Sequence, residues 1–306
     1  MVNFKALASV LLASATLASA RPPRVPPKGR SGPNYWFSFG DSYTQTWFNH
    51  TDTPPAPGNP LGNPPYPGWT ATGGPNWVGY LTTEYNNSLV LTWNYAYGGA
   101  VIDDKLVTPW QPGLIHLTGQ VDQFLEYAAK KPAVVPWTSK NALFSIFIGI
   151  NDIGNSWWLP GSRDEFNDVL LDAYFGLVQK LYDAGGRNFL FVNVPPIDRS
   201  PLMLEQTDDA GRAIEKEVIA SYNRKLLERI EALKATDRKI KTFFWDSNAF
   251  YTKVLDSPQE YGFKDATSWG KEDPEIFWGD NYHPSTYADK LFAEDIARNV
   301  LADTVW

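Results

Sequence analysis

Residues 143–148, Leu-Phe-Ser-Ile-Phe-Ile, are apolar with a single interruption and stop at Gly149-Ile150-Asn151-Asp152. A strand with one face in water alternates polar and apolar residues. A run without alternation implies cover on both faces, as in a parallel sheet with helices above and below. Residues 35–39 and 188–194 have the same character, and 88–93 and 240–245 add two more strands. Helical stretches separate them. In 114–130 the residues Leu114, Leu117, Val121, Phe124, Leu125 and Ala128 fall on one side; 164–184 is stopped by Gly185-Gly186; 208–235 is long and amphipathic. A short helix is expected over 75–85 and a final one over 285–301, started by Pro284 and Ser285. Strand–helix alternation without a repeat or a dividing linker predicts one α/β domain over 21–306, a three-layer α/β/α sandwich around a five-stranded parallel sheet.

The formal net charge of −7 argues against nucleic acid or an anionic membrane as partner, since both need basic patches. With no cysteine, disulfides, thiol chemistry and cysteine-held metals are excluded, and the domain must rest on its apolar core. Residues 1–20 place Lys5 ahead of an alanine-rich apolar run that ends Ala18-Ser19-Ala20, the pattern of a secretory signal peptide. Export is therefore expected, and in that setting Asn49-His50-Thr51 and Asn86-Asn87-Ser88 become glycosylation sequons at Asn49 and Asn86. No later stretch is long and apolar enough for a transmembrane helix.

Ligands of open parallel sheets bind beyond the carboxyl ends of the strands. Ser42 follows the first strand, Gly98-Gly99 the second and Asn151 the third; Asp280 and His283 lie between the fifth strand and the last helix. A serine nucleophile needs a base, and the chain has only three histidines. His50 sits beside a sequon and His116 in or beside a polar helix segment. His283 has an aspartate three residues back that can reach its ring and hold the tautomer, so it is the best base in the chain. Singly, these residues have plain readings: Gly-Asp-Ser as a turn or helix cap, Gly-Gly and Asn-Asp as turns, Asp-x-x-His as a helix lead-in or half a metal site. Jointly they supply the parts of acyl transfer in order.

Gly40-Asp41-Ser42-Tyr43, Asn94-Tyr95-Ala96-Tyr97-Gly98-Gly99-Ala100, Gly149-Ile150-Asn151-Asp152 and Asp280-Asn281-Tyr282-His283 resemble the four sequence blocks of the GDSL esterases, also called SGNH hydrolases. The resemblance implies a flavodoxin-like SGNH fold, with Ser42 as nucleophile, His283 as base and Asp280 as its orienter. It also implies oxyanion donors at the backbone N–H groups of Ser42 and Gly99 and the side-chain amide of Asn151, and no cofactor. Tyr43 stands where the family name has leucine, a position expected to stay clear of the chemistry.

With Phe-Gly-Asp-Ser-Tyr at one end and Phe-Trp-Gly-Asp-Asn-Tyr-His-Pro at the other, the chain further resembles fungal acetyl esterases of carbohydrate esterase family sixteen. That implies a monomer releasing acetyl groups from xylo-, gluco- or manno-oligosaccharides. A secreted lipolytic esterase or lysophospholipase is the alternative, and a non-catalytic sugar-binding protein the alternative of another class. The chain has 13 tryptophans. Trp47, Tyr66, Trp69, Trp157, Trp158 and Trp278 fall in segments leaving the catalytic edge, where flat rings suit the apolar faces of sugars. Trp47 and Trp278 are the expected substrate contacts, and the Pro/Gly/Asn-rich stretch 52–75 is expected to wall the site.

Overall fold

Trp36 and Phe37, neighbours on the first strand β1 (Asn34–Gly40), point to opposite faces and meet different partners. Trp36 lies 5.5 Å from Trp77 of helix α1 (Trp77–Thr83), whereas Phe37 meets Trp137 at 5.5 Å and Phe124 at 4.9 Å. A computed structural model describes residues 32–306; the expected signal peptide 1–20 and most of the lead-in after it lie outside the described residues. The remaining strands are β2 (Val90–Asn94), β3 (Ala142–Phe147), β4 (Asn188–Val192) and β5 (Lys241–Trp245). All pair in parallel, in the order β2-β1-β3-β4-β5.

β1 to β4 are buried throughout, which is why their sequences lack alternation. The one polar residue in the β3 run, Ser145, has a partner: its hydroxyl accepts the Trp36 indole N–H at 2.7 Å and donates to Ser38 Oγ at 3.1 Å. A buried hydroxyl paired this way avoids its desolvation cost.

The helices after α1 are α2 (Leu117–Glu126), the five-residue α3 (Ile150–Gly154), α4 (Arg163–Asp183), α5 (Pro201–Gln206), α6 (Asp209–Thr236), α7 (Ser247–Asp256) and α8 (Thr286–Asp295). Right-handed crossovers put the connection that runs leftward to β2 on one face and those running rightward on the other. Accordingly α2, α4 and α6 pack side by side, while α1 packs against α8. The predicted helix over 285–301 is two pieces, α8 and a π-helical turn at Ile296–Val300; that over 114–130 likewise ends at Glu126, followed by a 3₁₀ turn at Ala128–Lys130. The chain reverses its direction of travel across the sheet between β1 and β3. This switch point opens a crevice beyond their carboxyl ends, with Ser42 on one side and Asn151 on the other.

Five buried carboxyls, Asp41, Asp152, Asp198, Glu215 and Asp289, are raised by burial and make stability depend on pH. Burial pushes Glu215 of α6 up to about 8, helped by Asp198, and among the described residues neither of its oxygens has a partner. Burial likewise pushes Asp41 up to about 8 and Asp152 up to about 7. The unfolded chain releases these protons near pH 4, so their stabilisation is complete below about pH 4 and is lost as pH rises through the folded values. Carboxyls with depressed values, such as Asp164 and Asp237, act in the opposite sense but below that range. The melting temperature is therefore expected to fall from about pH 5 and to level off at about pH 8, with Glu215→Gln flattening the slope. Parallel melting curves for the two proteins would assign the dependence elsewhere.

Candidate active site

The nucleophile turn is built by Asp41, not by Ser42. Its carboxylate accepts the Tyr43 N–H at 3.0 Å and its carbonyl accepts those of Thr44 and Gln45 at 3.1 and 3.0 Å, a tight Asx-type turn. Behind it, Gln120 of α2 grips the end of β1, accepting the Gly40 N–H at 2.9 Å and donating to the Gly40 carbonyl at 2.7 Å. Ser42 is thereby lifted out with its hydroxyl free to meet another loop.

That loop carries His283. Its Nε2 stands 2.7 Å from Ser42 Oγ, and its Nδ1 stands 3.0 Å from each carboxylate oxygen of Asp280. The Asp280 Oδ1 also accepts the backbone N–H groups of Tyr282 and His283 at 2.8 and 2.7 Å. Burial alone would raise the Asp280 value, but the ring N–H, the His283 charge and these two amides together hold it below the usual carboxylate range. A carboxylate that stays ionised accepts from Nδ1, which leaves the Nε2 lone pair facing Ser42. Tyr43 is closer to this chemistry than the sequence reading allows. Its hydroxyl donates to the Tyr282 carbonyl and its ring lies 5.2 Å from that of His283, so it ties the nucleophile turn to the histidine loop.

Across the crevice, α3 presents Asn151, whose amide donates one hydrogen to the Ala100 carbonyl at 3.0 Å and retains the other. Next to it, Asp152 accepts the Ile102 N–H at 2.9 Å, so two adjacent residues of α3 hold the loop after β2. That loop turns at Tyr97–Ala100, closed by the Ala100 N–H on the Tyr97 carbonyl at 3.1 Å. Gly99 has φ +73°, and a Cβ there would lie 2.1 Å from the Trp110 indole nitrogen, so only glycine fits. The Gly98 N–H is taken by Gln45 Oε1 at 2.6 Å, whereas among the described residues none accepts the N–H of Gly99 or of Ser42. The N–H groups of Ser42 and Gly99 and the Asn151 amide thus reach the crevice from two loops and α3, an arrangement able to hold the oxyanion of a tetrahedral intermediate.

The crevice has a volume of about 680 Å³ and is lined by Ser42, His283, Asn151 and Gly99 together with exposed indoles. Trp47 is one of them. Its ring lies tilted at 5.1 Å from Tyr97 and 6.1 Å from Trp69, and its φ of +64° is an uncommon backbone for a bulky side chain, at a cost of about 1–3 kcal/mol. Trp278 does not belong here. It is 0% exposed, its indole donates to the Ala266 carbonyl at 2.9 Å, and its ring lies 4.9 Å from Phe277. The segment runs through bridges to Trp269 and Pro284, which turn the ring into the core, so Trp278 supports the His283 loop from beneath and touches no ligand space.

Trp158 lines the crevice; Trp69 and Tyr66 are exposed outside its lining, and Trp157 is half-buried. Sequence reasoning passes over Trp110, 66% exposed and set against Gly99, and Gln45; only an isolated tryptophan between two prolines marks the first. The other histidines are elsewhere in function: His116 is buried and accepts the Val101 N–H at 3.3 Å, and His50 lies 6.3 Å from the Tyr95 ring. Asn49 is exposed, whereas the Asn86 amide donates to the Thr82 carbonyl at the end of α1.

The model of the GDSL-like lipase/acylhydrolase family matches residues 37–296. An acetylesterase of Thermothelomyces thermophilus is 41% identical over 290 residues, 95% of each chain. An acetylesterase of Hypocrea jecorina is 28% identical over 181 residues, 55% of this chain and 49% of that protein. A crystal structure of an acetylxylan esterase from Geobacillus stearothermophilus aligns over 87% of this chain and 93% of its own, at 15% identity and a TM-score of 0.48.

Proposed function

Because the chain belongs to the GDSL-like lipase/acylhydrolase family, we propose that it is a secreted serine acetylesterase acting on acetylated plant cell-wall oligosaccharides. The observation that carries the chemistry is the continuous chain Ser42 Oγ, His283 Nε2, His283 Nδ1, Asp280, with links of 2.7 and 3.0 Å opening into the crevice. His283 takes the Ser42 proton as Oγ attacks the acetyl carbonyl carbon. The N–H groups of Ser42 and Gly99 and the free hydrogen of Asn151 receive the oxyanion. Collapse expels the sugar alkoxide, which receives its proton from His283, and leaves Ser42 acetylated. Water then attacks with His283 again as base and frees acetate.

The acetyl preference is supported by identity with the Thermothelomyces acetylesterase, and the sugar preference by the exposed indoles Trp47, Trp110 and Trp158 around the crevice. Acetate release from acetylated xylo-, gluco- and manno-oligosaccharides, set beside hydrolysis of long-chain acyl esters, tests both. Faster turnover of the long chains would make it a lipolytic esterase instead, and no hydrolysis of a chromogenic acetate ester would leave only a binding protein.

Asn151→Ala is expected to lower kcat by about a hundred- to a thousandfold because one of three oxyanion donors is lost, with the protein still folded because Asp152 keeps its bond to the Ile102 N–H after the Ala100 bond is gone. A folded variant of wild-type kcat would remove Asn151 from the mechanism. Secretion from a eukaryotic host is expected to place a glycan at the exposed Asn49 and little at Asn86, whose amide is engaged by the α1 terminus. Peptide mapping after enzymatic deglycosylation in heavy-oxygen water reads both occupancies; equal occupancy would mean that the Asn86 bond opens readily.

A further inference from the structure

Asn281, Tyr282 and His283 each have their carbonyl held, and by different partners. The Asn281 carbonyl accepts the Leu202 N–H of α5 at 2.7 Å, and that of His283 accepts the Gly279 N–H at 2.8 Å. The carbonyl between them accepts the hydroxyl of Tyr43. The first two donors are main-chain groups, whereas the third exists only because residue 43 is tyrosine.

The peptide that Tyr43 holds is the one that leads into His283. Its carbonyl is that of Tyr282 and its N–H is that of His283, which Asp280 Oδ1 accepts at 2.7 Å. One peptide plane is thus fixed from both sides, by a phenol of the nucleophile turn and by the carboxylate that orients the imidazole. Turning that plane would break both bonds. Donation into the carbonyl also polarises the peptide and makes the His283 N–H a better donor to Asp280.

Tyr43 is itself anchored. Its N–H is bonded to Asp41 Oδ1 at 3.0 Å, and its ring, 3% exposed, packs 5.9 Å from Phe147 at the end of β3. Burial holds its phenol well above the usual value, so it keeps the proton it donates. Ser42 is its neighbour along the chain, and Ser42 Oγ meets His283 Nε2 at 2.7 Å. These contacts close a ring that runs from Ser42 through the Tyr43 side chain, the Tyr282–His283 peptide and the imidazole back to Oγ.

We propose that Tyr43 is a positioning residue whose hydroxyl, by holding the Tyr282–His283 peptide, sets the distance and angle between His283 Nε2 and Ser42 Oγ. The role rests on the reading of that pair as the base and nucleophile of an ester hydrolase. Tyr43 is not among the residues that line the crevice, and it acts through His283 without touching substrate.

Steady-state kinetics on 4-nitrophenyl acetate and melting curves are measured for the wild type, for Tyr43→Phe and for protein carrying 4-aminophenylalanine at position 43. Tyr43→Phe keeps the ring and removes the donor. It is expected to lose about ten- to a hundredfold in kcat with KM changed by less than about twofold, because acylation and deacylation both use His283 as base. The amine of 4-aminophenylalanine can donate to the same carbonyl, so that protein is expected to regain most of the kcat lost by Tyr43→Phe. A purely structural role would lower the melting temperature and leave the kcat of the folded protein unchanged. Wild-type kcat in folded Tyr43→Phe, a loss carried by KM instead, or a folded 4-aminophenylalanine protein as slow as Tyr43→Phe would each overturn the proposal. If the 4-aminophenylalanine protein does not fold, the kcat and KM of Tyr43→Phe decide by themselves. If Tyr43→Phe does not fold, Tyr43→Leu, with the residue of the family name, makes the same measurement; failure of both to fold would give Tyr43 to the fold and overturn the proposal. A wild-type protein inactive on the ester would overturn the functional reading instead, so the two failures are distinct.

Discussion

Ser42→Ala is expected to abolish turnover of acetate esters to within measurement, a loss on the order of 10⁴–10⁶ in kcat, with the fold retained. The fold is expected to survive because the turn is made by the Asp41 carboxylate and carbonyl and the strand end is gripped by Gln120. Among the described residues the Ser42 hydroxyl itself bonds only to His283. The size of the loss follows because, among the described residues, Ser42 Oγ is the partner of His283 Nε2: without it no acyl-enzyme forms, and only the oxyanion donors remain to assist direct attack by water. A serine-directed phosphonate should label the wild type at one site and leave the variant unlabelled. Stoichiometric labelling of Ser42→Ala in intact-mass measurements would mean that another residue is the nucleophile.

Asp280→Asn is expected to cost about 10⁴ in kcat while leaving KM nearly unchanged. The carboxylate presents two acceptor oxygens to His283 Nδ1 at 3.0 Å each, and Oδ1 also gathers the N–H groups of Tyr282 and His283. An asparagine has one acceptor oxygen, which the two backbone amides compete for, and its NH₂ then faces Nδ1 as a donor. The imidazole responds by carrying its proton on Nε2, where it can no longer accept from Ser42. Phosphonate labelling of Ser42 should slow in parallel with turnover, because both need the same tautomer. A loss smaller than about tenfold would show that the ring is oriented without Asp280.

These effects fall on residues that their own sequence blocks mark, whereas the elements around them were not equally legible. β1 to β4 were readable because each is covered on both faces, and burial writes itself into composition without help from distant partners, whereas the edge strand β5 is half-buried. Short helices were not. At five and six residues, α3 and α5 do not complete enough turns for a 3.6-residue period to emerge, and α3 exists because Asn151 and Asp152 are tied to the loop after β2. Trp278 shows the limit of nearness along the chain. It lies two residues from Asp280, yet its segment is bridged to Trp269 and Pro284, and the indole turns into the core. Trp110 shows the converse, since its contact with Gly99 joins residues that no local pattern relates.

The sequence by itself determined the parallel α/β architecture and singled out Ser42, Asp280 and His283 as the candidate triad. Local hydrophobicity and the i to i+3 reach of Asp280 to His283 are short-range properties of the chain. Only the tertiary structure decided which tryptophans meet ligand space, that Tyr43 ties the two catalytic loops together, and that Gln45 holds the Gly98 N–H. Those contacts join residues 53 to 239 positions apart, and their existence depends on how five strand ends converge rather than on any residue's immediate neighbours.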